Sequence, residues 1–425
     1  MRDANRTWKD RTAEVVRKHR PDYLIALYTA ILMLIGLVVI YAIGPQRANV
    51  LNNAIGSNFS DSYFFIKQTI SLALAAVAFC VMAVFPYKHV MKHAAKVLIA
   101  GLIACALLFI AAKSGLPIAE EINGASRWFS LGILGSLQPA EILKFGVLLY
   151  LAVFLGAKMK EGKVNDWKET LLPVAIIAAV SLLFVVVIQK DLGTGISLTA
   201  IIVTMLFMAG LSRKIGMYLV GAVLVGGMLL IFTSPHRIDR VVTYLQGDSS
   251  STDDAGAYHI QHAKIAIGSG GLTGVGIGNS VQATGYLPEV INDSVFAVLG
   301  ETFGFVGLIA LMAIFVALLM RILKVLDHLI DQRLKLLAAG VFGWFGTHVI
   351  LNIAAMIGIF PLTGITLPLI SFGGTSMIFI TAALGLVFQL SGYTVHSSRL
   401  KESTHENSRS GRRVGRTRYA SRRSS

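Results

Sequence analysis

Tyr23 to Ile43 (YLIALYTAILMLIGLVVIYAI) is a run of 21 residues without one charged side chain. Wound as a helix at 1.5 Å per residue it is about 32 Å long, the thickness of a bilayer's hydrocarbon core. A backbone in lipid must satisfy its own polar groups, so the stretch predicts a membrane-spanning helix. Nine more apolar stretches follow, near 64–85, 93–112, 138–157, 170–188, 193–211, 215–233, 293–320, 334–358 and 374–392. The composition agrees. Of the 425 residues, 55% are hydrophobic and 14% charged, where a soluble domain carries about 25% charged residues. The expected fold is therefore an all-α polytopic membrane protein, with one ten-helix membrane domain over 23–392 between polar tails at 1–22 and 393–425.

Lysine and arginine in short loops stay on the cytoplasmic side. With the amino terminus inside, 29 of the 38 basic residues fall in cytoplasmic segments and 7 in outside loops, while Lys67 and Lys144 sit within spans. Both termini are thus expected in the cytoplasm. Residues 1–22 are basic, and the apolar stretch after them is too long for a signal peptide, so it is read as the first span. Cys80 and Cys105 lie inside apolar stretches and exclude a disulfide framework or a cysteine metal site. The tail after Tyr393 is rich in Ser and Arg and is expected to be disordered. Its charge suits retention and attraction to membrane lipids; with one Tyr, no Phe or Trp and no folded module attached, nucleic-acid binding is excluded.

Chemistry is expected in the outside loops. The loop between spans 7 and 8, residues 234–292, is 59 residues long, and loops of that length are functional or disordered. Its run Ala263 to Gly278 (AKIAIGSGGLTGVGIG) reads either as a flexible turn or as backbone donors for a pyrophosphate. A second outside segment, 113–137, places Arg127 beside Trp128, a pair suited to the membrane interface. No Walker lysine, zincin helix or serine elbow occurs.

Ionisable groups within spans are costly and mark function or ion pairs. Glu141 and Lys144, three residues apart, share a helix face and can pair. Asp293 falls at the outer boundary of the eighth span, where it is either a helix cap or a reactive carboxylate; Glu301 lies about 12 Å deeper along the same helix. His259 and His262 can meet on one helical face, yet no third metal ligand has suitable spacing. His348 reads as a hydrogen-bonded packing residue.

At these positions the chain resembles the SEDS family of shape, elongation, division and sporulation proteins. The likeness runs from the first span to the last, through Asn123 to Trp128 (NGASRW), Gln138 to Glu141 (QPAE) with Lys144, and Asp191 to Thr194 (DLGT). Gly268 to Gly271 (GSGG), Gly278 to Ser280 (GNS), Tyr286 to Glu289 (YLPE), Asp293, Gly300 with Glu301, and Leu367 to Ser376 (LPLISFGGTS) complete it. NGASRW, QPAE and GNS followed by YLPE are more FtsW-like than RodA-like. The chain departs from the pattern at Ile291 and Asn292, Thr302, Lys190, Gly135 and Ser136, and at His259 and His262, where family members carry glutamines.

The resemblance implies a peptidoglycan glycosyltransferase of the bacterial inner membrane, placed at the division septum, that polymerises lipid II into septal glycan. It also implies a class B penicillin-binding protein (an FtsI-like transpeptidase) and other division proteins as partners. The family's essential aspartate falls on Asp293. Arg127, Trp128, Glu141, Lys144, Gly270, Gly271, Glu289, Glu301 and Ser371 are the expected substrate-binding residues. In the expected reaction, Asp293 is general base to an acceptor hydroxyl, with inversion at the donor carbon and departure of undecaprenyl pyrophosphate. Arg127, Lys144 or a divalent cation (Mg2+ or Mn2+) neutralises the leaving group. Two rival readings are a lipid II flippase and a non-catalytic division scaffold.

Overall fold

The computed structural model describes residues 19–122, 125–130, 135–232, 238 and 255–394. The tail expected to be disordered lies, beyond Thr394, outside the described residues, as does most of the first half of the long loop. The helices in chain order are α1 (Tyr23–Ile55), α2 (Tyr63–Val84), the short α3 (Tyr87–Lys92), α4 (Ala94–Lys113) and α5 (Pro139–Glu161). They continue as α6 (Leu172–Leu182), α7 (Leu192–Met208), α8 (Arg213–Phe232) and α9 (Ala255–Ser269), then α10 (Val295–His328), α11 (Gln332–Met356) and α12 (Gly374–Ser391). Each of the ten expected spans falls on a helical segment. Among the described residues, eight are long and apolar enough to cross a membrane, α7 being a shorter apolar helix of 17 residues.

Burial shows which helices form the centre. The apolar windows of α5, α11 and α12 are 72%, 72% and 67% buried, against 22–33% for the other five spans. Lipid does not drive helices together by exclusion, so close backbone approach has to. Gly101 of α4 and Gly146 of α5 supply it reciprocally: a Cβ at either would lie 2.7 Å from a backbone Cα of the other helix, at Leu143 and Leu98 respectively.

The chain enters and leaves at one end of the bundle. Asp22 caps α1 by accepting from the Leu24 N–H, receives the Arg321 guanidinium at 3.5 Å, and its own N–H donates to Ser391 Oγ at 2.7 Å. At this entry end Asp331 caps α11. Burial alone would raise its pKa, but hydrogen bonds from Arg333 prevail and hold the carboxyl below its ordinary value.

Three departures from expectation concern the opposite end, here the loop end. First, α1 runs on through Pro45 to Ile55, about 50 Å in all. Its polar end is held by the loop, Gln46 donating to the Gly278 carbonyl and Arg47 lying 3.7 Å from Glu289. Second, the fold is not purely helical. Segment 113–137 forms a small antiparallel sheet, β1 (Ala119–Ile122), β2 (Ala125–Ser130) and β3 (Ser136–Leu137), in the order β1-β2-β3. Outside hydrocarbon such an open edge is tolerated.

Third, the glycine run is neither a flexible turn nor an open cradle. The chain of α10 breaks at Gly304 (φ 68, ψ −169), which strips neighbouring backbone groups of their helical partners. Residues 271–276 replace them. Phe305 and Val306 N–H donate to the Gly271 and Leu272 carbonyls, and Val275 and Gly276 N–H donate to those of Glu301 and Thr302. A Cβ at Gly274 (φ +83) would fall on the Thr302 carbonyl. Gly274→Ala should therefore destabilise the protein by more than the roughly 1–3 kcal/mol that left-handed strain costs, read as a drop in its thermal midpoint in detergent. Gly278→Ala is the control, with the same strain (φ +85) and open space around it; equal losses in the two would refute the packing argument.

Candidate active site

Four segments far apart in sequence meet at the loop end. Gln138, just before α5, donates from Nε2 to Asp191 Oδ2 at 2.9 Å, and its own N–H donates to Thr375 Oγ1 at the start of α12. Asp191 in turn caps α7 through the Thr194 N–H and hydroxyl. The Phe372 N–H donates to the Ile291 carbonyl at 2.7 Å, which joins the loop before α12 to the loop before α10. The QPAE, DLGT, LPLISFGGTS and YLPE motifs are thereby one polar assembly.

Asp293 lies within it, 9% exposed. The N-cap position of α10 is Ser294, so the capping role weighed for Asp293 falls one residue later, and even there no side-chain cap bond forms. The loop is fixed through its backbone. Asn352 of α11 donates from Nδ2 to the Asp293 and Ile365 carbonyls, both at 2.7 Å. Ser294 Oγ donates to the Pro288 carbonyl at 2.8 Å and lies 3.5 Å from Asp293 Oδ1. Asn352 escaped the sequence reading, although Trp344, His348 and Asn352 at four-residue spacing mark a polar-tipped stripe in an apolar helix. All three are buried.

Glu141 and Lys144 pair as their spacing predicts, at 2.7 Å and with 2% and 0% exposure. The Lys144 ammonium also sits 4.8 Å from the centre of the Trp344 ring, a favourable place for a desolvated cation. Glu301, buried deeper on α10, forms no ion pair among the described residues. Its carboxylate accepts from Ser280 Oγ at 2.5 Å and from the Val281 N–H at 2.9 Å, and so shapes the GNS turn.

Arg127 on β2 spends two of its five N–H donors on the Gln189 and Lys190 carbonyls, at 3.1 and 2.8 Å. Those carbonyls are bared because the fifth span ends in a π-helical turn, Leu183–Ile188, followed by Lys190 at φ 52. Trp128 lies alongside, its ring 6.0 Å from the guanidinium carbon. Glu289 (φ 49) accepts from Asn292 Nδ2 and faces Arg47. The Ser371 hydroxyl accepts from the Leu367 N–H inside its own loop. Gly270 abuts the Gly300 carbonyl, and Gly271 takes φ +53. The N–H groups of Gly271, Gly274, Val275 and Gly276 all donate to protein carbonyls, so these four are engaged within the protein. His259 and His262 serve Ser294 and Gln282 separately. Among the described residues no three His, Cys, Asp or Glu side chains converge as a metal cage.

A bundle of membrane helices that gathers a buried carboxylate, an ion pair and a guanidinium at one end is an integral membrane protein with a built polar site. The chain belongs to the FtsW/RodA/SpoVE family: the family model described as "Cell cycle protein" matches residues 22–396. It is 32% identical over 375 residues to the probable peptidoglycan glycosyltransferase FtsW of Nitrosomonas europaea, covering 87% of this chain and 93% of that one. To the stage V sporulation protein E of Bacillus subtilis it is 31% identical, covering 89% and 99%. Among solved structures it is similar to a chain of a peptidoglycan synthase complex described as coordinating polymerization and crosslinking, with TM-score 0.67 and 25% identity over 87% of this chain and 97% of that one. The rod shape determining protein RodA of Thermus thermophilus gives TM-score 0.60 and 26% identity, over 87% and 96%.

Proposed function

We propose that this protein is a peptidoglycan glycosyltransferase that polymerises lipid II into septal glycan strands, with the loop end facing outward from the inner membrane. The observation that carries the reading is Asp293, a mostly buried carboxylate whose backbone is fixed by Asn352 and whose Oδ1 lies 3.5 Å from Ser294 Oγ. The relatives' names support the reaction, and the distribution of lysine and arginine supports the orientation.

Asp293 takes the proton of the acceptor sugar's hydroxyl as that oxygen bonds to the donor's anomeric carbon. The bond from that carbon to the lipid pyrophosphate breaks on the opposite face, so the configuration inverts. Negative charge gathers on the departing pyrophosphate, where preorganised cations are worth most. In this reading Arg127 supplies that charge, with three N–H donors beyond those given to Gln189 and Lys190. A divalent cation would bind the phosphates and share that charge. A class B penicillin-binding protein is the partner that crosslinks the product, with other division proteins placing both at the septum.

The purified protein in detergent, given lipid II alone and with its crosslinking partner, should yield glycan ladders on a gel. In vesicles, movement of lipid II across the bilayer without ladders would establish the flippase instead. Neither ladders nor movement, in protein that still binds its partner, would establish the scaffold.

A further inference from the structure

Helix α9 lies against the start of α10, and its buried His259 brings Nε2 to 2.5 Å from Ser294 Oγ. The same oxygen stands 2.8 Å from the Pro288 carbonyl and 3.5 Å from Asp293 Oδ1. A hydroxyl has one proton to give and two lone pairs to offer. A carbonyl and an ionised carboxylate only accept, so the Ser294 proton serves one of those two. The short contact to His259 is then satisfied only when the imidazole donates. Were the ring to accept, the proton would be withdrawn from whichever of the Pro288 carbonyl and Asp293 it serves, at a fully buried serine where a lost hydrogen bond costs most.

We propose that His259 is a positioning residue for Asp293, acting through Ser294: its Nε2–H fills a lone pair of Ser294 Oγ and keeps the hydroxyl proton on the side of Pro288 and Asp293. A donor held beside a carboxylate favours its ionised form, the form a general base needs. The separation of 3.5 Å is long for a hydrogen bond, as catalytic hydrogen bonds often are before substrate binds. Glutamine, like histidine, can present an N–H at this position. The inference rests on Asp293 being the base.

The test is the initial rate of lipid II polymerisation by the purified protein over a range of lipid II concentrations. His259→Leu should lower kcat about tenfold, the worth of one buried hydrogen bond, with KM unchanged. His259→Gln, which restores an N–H donor, should recover most of that rate. In a Ser294→Ala background, His259→Leu should cost nothing further, because the group it acts on is gone. Thermal midpoints in detergent identify any variant that is simply unfolded, and His259→Gln keeps the test decisive if His259→Leu is.

A wild-type kcat in His259→Leu would overturn the proposal. So would a His259→Gln as slow as His259→Leu, or a further tenfold loss in the Ser294→Ala background. Asp293→Ala keeps the two levels apart: if it polymerises normally, the assignment of the base fails. If it is inactive while His259→Leu is normal, only the positioning role fails.

Discussion

Asp293→Ala should lose glycan polymerisation by about 10²- to 10⁴-fold, the range a positioned general base contributes, while the protein stays folded. The two halves of this expectation have separate causes. In the proposed mechanism rate depends on the carboxylate, which accepts the acceptor's proton. Fold depends on the backbone at this position: Asn352 grips the Asp293 carbonyl, and the neighbouring Phe372 N–H grips that of Ile291. Neither bond involves the Asp293 side chain, so truncating it leaves the α10–α11 junction in place. Asp293→Asn sharpens the test, since it keeps the shape and loses only the ability to take a proton. It should be as inactive as Asp293→Ala. Polymerisation at the wild-type rate by either variant, in protein with an unchanged thermal midpoint, would move the chemistry to another group.

The helices were legible because the bilayer imposes a coarse rule, about 20 apolar residues per crossing, that needs no knowledge of partners. Pairings within one helical turn were legible for a similar reason, Glu141 with Lys144 being the case in point. What the sequence hid were contacts of long separation and stripes built from small residues. Helix α9 buries His259, Ala263 and Ala266, and Gly270 just after it is buried too, a helical period disguised by residues that carry little hydrophobicity. The carbonyls that Arg127 binds lie 62 and 63 residues away and become available only because a π-helical turn ends the fifth span. The small sheet has strands of four, six and two residues, too short for alternation to show. The glycine run was read through its flexibility, whereas its use is close approach: without Cβ atoms, its backbone replaces the hydrogen bonds lost where α10 breaks.

Lys144→Met should be the most destabilising single substitution in the assembly, by about 3–5 kcal/mol. Glu141 is 2% exposed, and Lys144 meets one of its oxygens while the other has no hydrogen-bond partner among the described residues. Removing the ammonium leaves a buried carboxylate with little else to compensate it, besides stripping the cation from the Trp344 ring. Glu141→Leu with Lys144→Met removes both charges and should return the thermal midpoint to at least the wild-type value, because well-packed apolar replacements of a buried pair are neutral or stabilising by about 1–4 kcal/mol. Polymerisation then decides what the pair is for. If the cation helps to bind or discharge the pyrophosphate, the double variant is stable and inactive. Recovery of both stability and rate would show that Glu141 and Lys144 serve the packing of α5 against α11, leaving Arg127 as the cation that meets the leaving group.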